Sequence, residues 1–218
     1  MKKEFQKRII STFILIPISF FFIIKGSFFF IFFLISCFGV ATYEWYKMTK
    51  KKKYNFAGHF FLILSFYSAY LLRNFDNDEK GMLFFFVIVI CIFTDIGGYI
   101  AGKTFKGPKL TKISPNKTYS GMVGGFLLSI ISIWFFIKYS KMLSYKEIYF
   151  TSETFILIIL ISFISQLGDI LISYFKRLSK IKNTGKIIPG HGGLLDRIDG
   201  MIFAFPFSYV IILLGIIK

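Results

Sequence analysis

Carboxylates are scarce in this chain. Of 218 residues only 11 are Asp or Glu, against 27 Lys and Arg. Two cysteines, Cys37 and Cys91, lie inside apolar segments, which argues against a disulfide framework and leaves no obvious thiol nucleophile. The only histidines are His59 and His191, with no Cys near either, which argues against a zinc site. A polar stretch long enough for a separate soluble domain is missing as well. What is abundant is apolar surface: 55% of the residues are hydrophobic and 31 are Phe. A soluble domain of this size could not bury that much.

The expected fold is therefore all-α, a polytopic membrane bundle. Seven apolar segments are read as spans, at about 9–24, 28–43, 57–72, 82–101, 120–138, 154–172 and 199–217. Residues 1–80 are taken as N-terminal transmembrane helices and 81–218 as a catalytic region with two basic cytoplasmic loops. The basic start and apolar run before Ile24 are like a signal peptide, but no small-residue cleavage site follows, and the segment is expected to be a retained first helix.

The net charge of +16 would suggest nucleic acid in a soluble chain; here it is read as cytoplasmic loops facing anionic headgroups, with no nucleic-acid partner. With the N-terminus in the cytoplasm, 20 of the 27 basic residues fall on that side, in the N-terminal tail and in 44–56, 102–119 and 173–198. The Lys50–Lys53 run reads most simply as an anchor on anionic lipid.

Seven of the 11 carboxylates, Glu4, Glu44, Asp76, Asp78, Glu79, Glu147 and Glu153, fall in tails, loops or helix ends, where a solvated role is the default. Asp95, Asp169, Asp196 and Asp199 stand apart, at the cytoplasmic ends of spans four, six and seven. An Asp within a spanning helix costs about 2.5–3.5 kcal/mol even on a lenient insertion scale. Asp95 and Asp169 could pair with loop cations and merely hold helices together. Four carboxylates on one side, beside glycine-rich basic loops, favour a divalent cation, and Mg²⁺ suits an all-oxygen set completed by substrate phosphates.

Gly97, Gly98 and Gly102 could serve helix packing or clear room for a ligand. Lys117, Thr118 and Ser120 precede span five, where free amides would face an anion. Gln166, Asp169 and Ser173 can face one cavity. Lys176, Arg177, Lys180, Lys182 and Lys186 follow, and some of these simply meet lipid phosphates. The glycine-rich run from Pro189 to Asp199 then gathers His191, Gly192, Gly193, Asp196, Arg197 and Asp199.

The stretch Ser173 to Asp199 resembles the signature of the phosphatidate cytidylyltransferase, or CDP-diacylglycerol synthase, family at Ser173, Phe175, Lys176, Arg177, Lys182, Gly185, Ile188, Pro189, His191, Gly192, Gly193, Leu194, Asp196, Arg197, Ile198 and Asp199. Asp95, Gly98, Tyr99, Gly102, Ser114, Pro115, Lys117, Thr118 and Gly121 are similar to a second block of that family, and the unit ending in Glu44-Trp45 also looks similar. The chain departs from the pattern in three places. Asn183 stands where an Asp is usual, Ile172 where a Glu commonly precedes the Ser, and Arg73–Gly81 is shorter than in relatives.

The resemblance implies that CTP and phosphatidic acid give CDP-diacylglycerol and pyrophosphate at the cytoplasmic face of a bacterial cytoplasmic membrane. It implies Asp169 and Asp196 as Mg²⁺ ligands, with Asp199 as ligand or neighbour and a second cation left open. Asp95, Ser114, Lys117, Thr118, Lys176, Arg177, Lys182 and Arg197 are the substrate-binding candidates. Gly192 and Gly193 are candidates for cradling phosphate. His191 would cradle the triphosphate or protonate the leaving group, a structural histidine being the other reading. A homodimer is left open.

Three other readings compete with this one. A CDP-alcohol phosphatidyltransferase needs an Ala-Arg and a downstream Asp that this chain lacks. A transporter would carry its carboxylates near the midplane. A degenerate homologue is suggested by Asn183, Ile172 and the shortened middle.

Overall fold

The structure is a computed structural model, and it describes residues 2–75, 81–140, 151–190 and 192–215. The described residues form helices α1 (Lys2–Lys25), α2 (Ser27–Thr49), α3 (Asn55–Arg73), α4 (Met82–Phe105), α5 (Tyr119–Ser140), α6 (Ser152–Leu178), α7 (Leu195–Ile198) and α8 (Met201–Leu213). Two isolated bridges, Lys109 with Thr118 and Ile188 with Gly192, are the β-type pairing among them.

Five helices, α2 to α6, are long and apolar enough to cross a membrane. Phe13–Lys25 within α1, and α8, are apolar but shorter. The all-α polytopic reading thus stands, and the seven expected spans correspond to seven of the helices.

Most boundaries differ from expectation by lengthening of the helices. The basic stretches expected as loops at 44–56, 102–119 and 173–198 contract to 50–54, 106–118 and 179–194. Lys and Arg are good helix formers, and cations in a last turn complement the helix dipole, so α2, α4 and α6 run on through Lys47, Lys103 and Lys176-Arg177. The span expected at 199–217 instead begins at Met201, after the separate turn α7.

The chain divides into two compact units. One comprises Met1–Gly81 with Phe175–Asp199; the other comprises Met82–Tyr174 with Gly200–Lys218.

In the first unit the chain reverses between α1 and α2 at Gly26, whose positive φ of 62° suits glycine. Phe22 of α1 then stacks on Phe33 of α2 with centroids 5.7 Å apart. At one end of this unit Gly26 and Gly81 both abut the buried Arg73, so a side chain at either position would overlap the guanidinium. At the other end Gly58 of α3 lies flush against the Trp45 indole, whose Nε1 donates to Asn55 O at 3.0 Å. Phe175 packs edge-on to Trp45 at 5.3 Å and beside Tyr54 at 4.9 Å, which seats the end of α6 against α2.

In the second unit α4 and α5 are the closest-packed pair. Glycines make this approach attainable: a Cβ on Gly97 would overlap the Gly124 carbonyl, and one on Gly121 would come within 2.8 Å of Gly98 O. Small residues let membrane helices approach where no hydrophobic force separates lipid from protein. Thr94 donates to Ser162 at 2.7 Å, joining α4 to α6 inside the apolar core. Phe84 stacks on Phe205 at 5.2 Å, joining α4 to α8.

Candidate active site

In the second unit, the C-terminal halves of α4 and α6, the start of α5 and the segment before it enclose a cavity of about 230 Å³. Its lining is rich in oxygen and includes Thr94, Asp95, Asn116, Thr118, Gln166 and Asp169, with Lys117 as its cation. Lys117 makes an ion pair with Asp169, each side chain one quarter exposed. Ser173, one turn on from Asp169, donates to its Oδ1 at 3.4 Å. Of the expected trio, Gln166 and Asp169 thus line the cavity, while Ser173 braces Asp169.

The segment carrying Lys117 is tightly tied. Leu110 N donates to Lys117 O at 2.7 Å, and Lys117 N donates to Ser114 O at 3.0 Å. Thr118 Oγ1 accepts from Gly121 N at 3.1 Å, capping the first turn of α5. Ser114 therefore shapes the loop through its carbonyl, whereas Asp95, Lys117 and Thr118 face the cavity. Gly98 also lines it, so the glycines of α4 both admit α5 and leave space beside Asp95.

In the first unit, the segment after α6 is organised around carboxylates. Asp196 Oδ1 accepts from Lys176 Nζ at 2.9 Å. Asp196 Oδ2 accepts from the backbone N–H of Thr184 at 2.9 Å and of Gly193 at 3.1 Å. Lys176 Nζ also lies 3.9 Å from Asp199 Oδ2. These three side chains are largely withdrawn from solvent, at 11%, 6% and 11% exposure for Lys176, Asp196 and Asp199.

The glycine-rich turn holds itself together. Gly192 N donates to Ile188 O at 3.2 Å, while Gly193 N is taken by Asp196. These two amides, read from sequence as a phosphate cradle, are committed within the turn in this structure. Arg177 donates to Ile181 O at 3.2 Å at the surface, and Lys182 and Arg197 are exposed. His191 lies outside the described residues, as do Asp76, Asp78, Glu79 and Glu147.

One expectation is corrected outright. Glu44, read as a solvated helix-end carboxylate, is 1% exposed. Its Oε2 accepts from the Thr184 hydroxyl and from Leu195 N, both at 2.9 Å, and its Oε1 accepts from Leu194 N at 3.1 Å. A sequence signal existed: Ala41, Glu44, Trp45, Met48 and Thr49 fall on one helical face, all buried. Thr184 and Asn116 were missed too; neither falls at a position where spacing alone marks a ligand.

Among the described residues, no group of three or more His, Cys, Asp or Glu lies close enough to hold a metal ion by itself. The donors near the candidate carboxylates are nonetheless hard oxygens. Mg²⁺ is commonly held by one or two carboxylates with water and substrate phosphates, and the residues present fit that mode. A carboxylate offers about four acceptor positions; the structure shows three of those on Asp196 in use.

Carboxylates paired with lysines at the ends of apolar helices, next to glycine-rich backbone, define an integral membrane protein equipped to handle phosphate groups. The comparisons with known proteins narrow this class. The model of the cytidylyltransferase family matches residues 6–78 and 57–214. The phosphatidate cytidylyltransferase of Rickettsia felis is 34% identical over 98% of this chain and 94% of its own length. That of Rickettsia bellii is 34% identical over 96% of this chain and 91% of its own length, and that of Bacillus subtilis 36% identical over 66% and 53%. The chain belongs to the cytidylyltransferase family.

Proposed function

We propose that this integral membrane protein transfers the cytidylyl group of CTP to phosphatidic acid, giving CDP-diacylglycerol and pyrophosphate. The observation that carries the reading is the near full-length similarity to proteins named phosphatidate cytidylyltransferase. The carboxylates and lysines described above supply chemistry suited to it.

The phosphate of phosphatidic acid is already an anionic nucleophile, so no strong base is needed. Its oxygen attacks the α-phosphorus of CTP, and the bond to the β-phosphate breaks with pyrophosphate leaving. Catalysis then rests on placing the reactants in line and on neutralising charge. Lys117 is the cation of the cavity; it neutralises Asp169 in the structure and is suited to exchange that carboxylate for a substrate phosphate. Lys176 offers the same choice beside Asp196 and Asp199. Arg177, Lys182 and Arg197, exposed in the structure, are proposed to bind phosphate at the surface. Asp95 and Thr118 orient what enters the cavity.

Mg²⁺ is the proposed cofactor, with Asp169 and Asp196 as its proposed ligands; when bound it neutralises phosphate charge and steadies the leaving group.

The proposed location is a bacterial cytoplasmic membrane with the N-terminus in the cytoplasm. The bias of basic residues supports this sidedness. So does the first unit, where the end bearing Glu44 meets the basic segment 179–194 and the Gly26 end meets Arg73 and Gly81. The absence of a nucleic-acid partner belongs to the same proposal, and a homodimer is left open by it.

The test is incubation of the purified protein in detergent with labelled CTP, phosphatidic acid and Mg²⁺, with and without chelator. Metal-dependent label in a lipid product is the expected outcome. A folded protein that yields none would be a homologue without this activity.

A further inference from the structure

Glu44 and Asp196 divide three consecutive backbone amides between them. Asp196 takes Gly193 N, and Glu44 takes Leu194 N and Leu195 N. Thr184 joins the two carboxylates: its amide donates to Asp196 and its hydroxyl to Glu44, each at 2.9 Å. Room for Glu44 is made by glycine, since a Cβ on Gly185 or Gly193 would overlap its carboxylate. A carboxylate buried at the end of an apolar helix is costly unless hydrogen bonds compensate it. Simple packing of α2 would be met more cheaply by an apolar side chain. The charge instead draws three donors from the one segment that also fixes Asp196.

We infer that Glu44 is a positioning residue for the cytidylyl transfer: it clamps residues 184–195 so that Asp196, and through it Lys176, are held in their working arrangement. The inference rests on the cytidylyltransferase reading for its kinetic consequence. The clamp itself is built entirely within the first unit. Thr184 suits this place because its hydroxyl reaches Glu44 while its amide holds Asp196. In this stretch the ties to Asp196 and Glu44 come from Thr184, Gly193, Leu194 and Leu195, so the network does not rest on the Asn183 side chain.

The experiment compares Glu44→Gln, Thr184→Val and Thr184→Ser with the wild type, as full-length protein in detergent. Glutamine keeps the shape of Glu44 but turns an amide nitrogen towards at least one of three donors. The expected result is a kcat at least tenfold lower for Glu44→Gln, with KM for phosphatidic acid changed less than threefold. Thr184→Val should lose at least fivefold in kcat, and Thr184→Ser, which keeps the donor, should recover most of that loss. Amide hydrogen exchange over 184–195 should quicken in Glu44→Gln and Thr184→Val but not in Thr184→Ser.

A Glu44→Gln protein with wild-type kcat overturns the inference, as does equal activity in the two Thr184 variants. Should Glu44→Gln fail to fold, the Thr184 pair decides alone. A wild type that makes no CDP-diacylglycerol defeats the cytidylyltransferase reading, whereas unchanged exchange over 184–195 defeats the clamp.

Discussion

Lys176 Nζ sits 2.9 Å from Asp196 Oδ1 and 3.9 Å from Asp199 Oδ2, one cation facing two carboxylates. The contact lies in a site mostly withdrawn from water. Lys176→Met would remove the cation that faces both carboxylates. Breaking a buried ion pair from one side costs about 3–5 kcal/mol. The expected outcome is a lower unfolding midpoint in detergent and loss of at least 100-fold in turnover, and Lys176→Arg should recover part of the stability. A stable and fully active Lys176→Met protein would remove Lys176 from the mechanism.

Asp169 and Lys117 form the corresponding pair in the cavity, but with a quarter of each side chain exposed. An ion pair this accessible contributes little to stability, about 1 kcal/mol or less. Asp169→Asn should accordingly fold and insert normally while turnover falls at least 100-fold. Thermal unfolding and the CTP assay, run on the same preparation, check both halves of the statement. Unchanged activity would defeat Asp169 as a ligand.

The glycines between α4 and α5 offer a test of packing apart from chemistry. Gly97→Ala would push a methyl group into the Gly124 carbonyl, which is backbone and cannot swing aside. Overpacking of this kind costs about 1–3 kcal/mol. The unfolding midpoint should fall. Because Gly98 and Gly121 of the same crossing line the cavity, KM for the substrate that occupies it should rise at least threefold. Gly39, with open space where a Cβ would go, is the control: Gly39→Ala should leave the midpoint unchanged or slightly higher.

The helices were legible because their hydrophobic runs are long, and the cavity carboxylates Asp95 and Asp169 were legible because a charge within such a run is conspicuous. Helix ends were not, since a basic residue reads equally as loop or as last turn. The burial of Glu44 is hidden from the sequence for a related reason. A carboxylate near a helix end looks solvated until its tertiary partners are known, and those partners lie 140 to 151 residues away. Backbone amides left no trace in composition, so the turn at Gly192-Gly193 read as an open cradle although its donors serve Ile188 and Asp196. The union of Phe175–Asp199 with the N-terminal helices likewise depends on Trp45, Tyr54 and Glu44 meeting Phe175 and Thr184, which no local pattern announces.

Asn183 is the departure from the family pattern that bears most directly on activity. It is exposed, and the space beside Gly192 lies 3.6 Å from its Cβ and Cγ and 3.0 Å from Asp196 Oδ2. Asn183→Asp would thus add a carboxylate near Asp196 on the solvent side, where repulsion is screened and worth about 1 kcal/mol or less. Thr184 and Gly193 would still hold Asp196, so folding should be unaffected and kcat should change less than threefold. An added acidic group also attracts divalent cation, so the Mg²⁺ concentration for half-maximal rate should fall about twofold. Titration of Mg²⁺ against initial rate for wild type and Asn183→Asp checks this directly. A tenfold gain in kcat would mean instead that the missing carboxylate, and not the placement of Asp196, limits this enzyme.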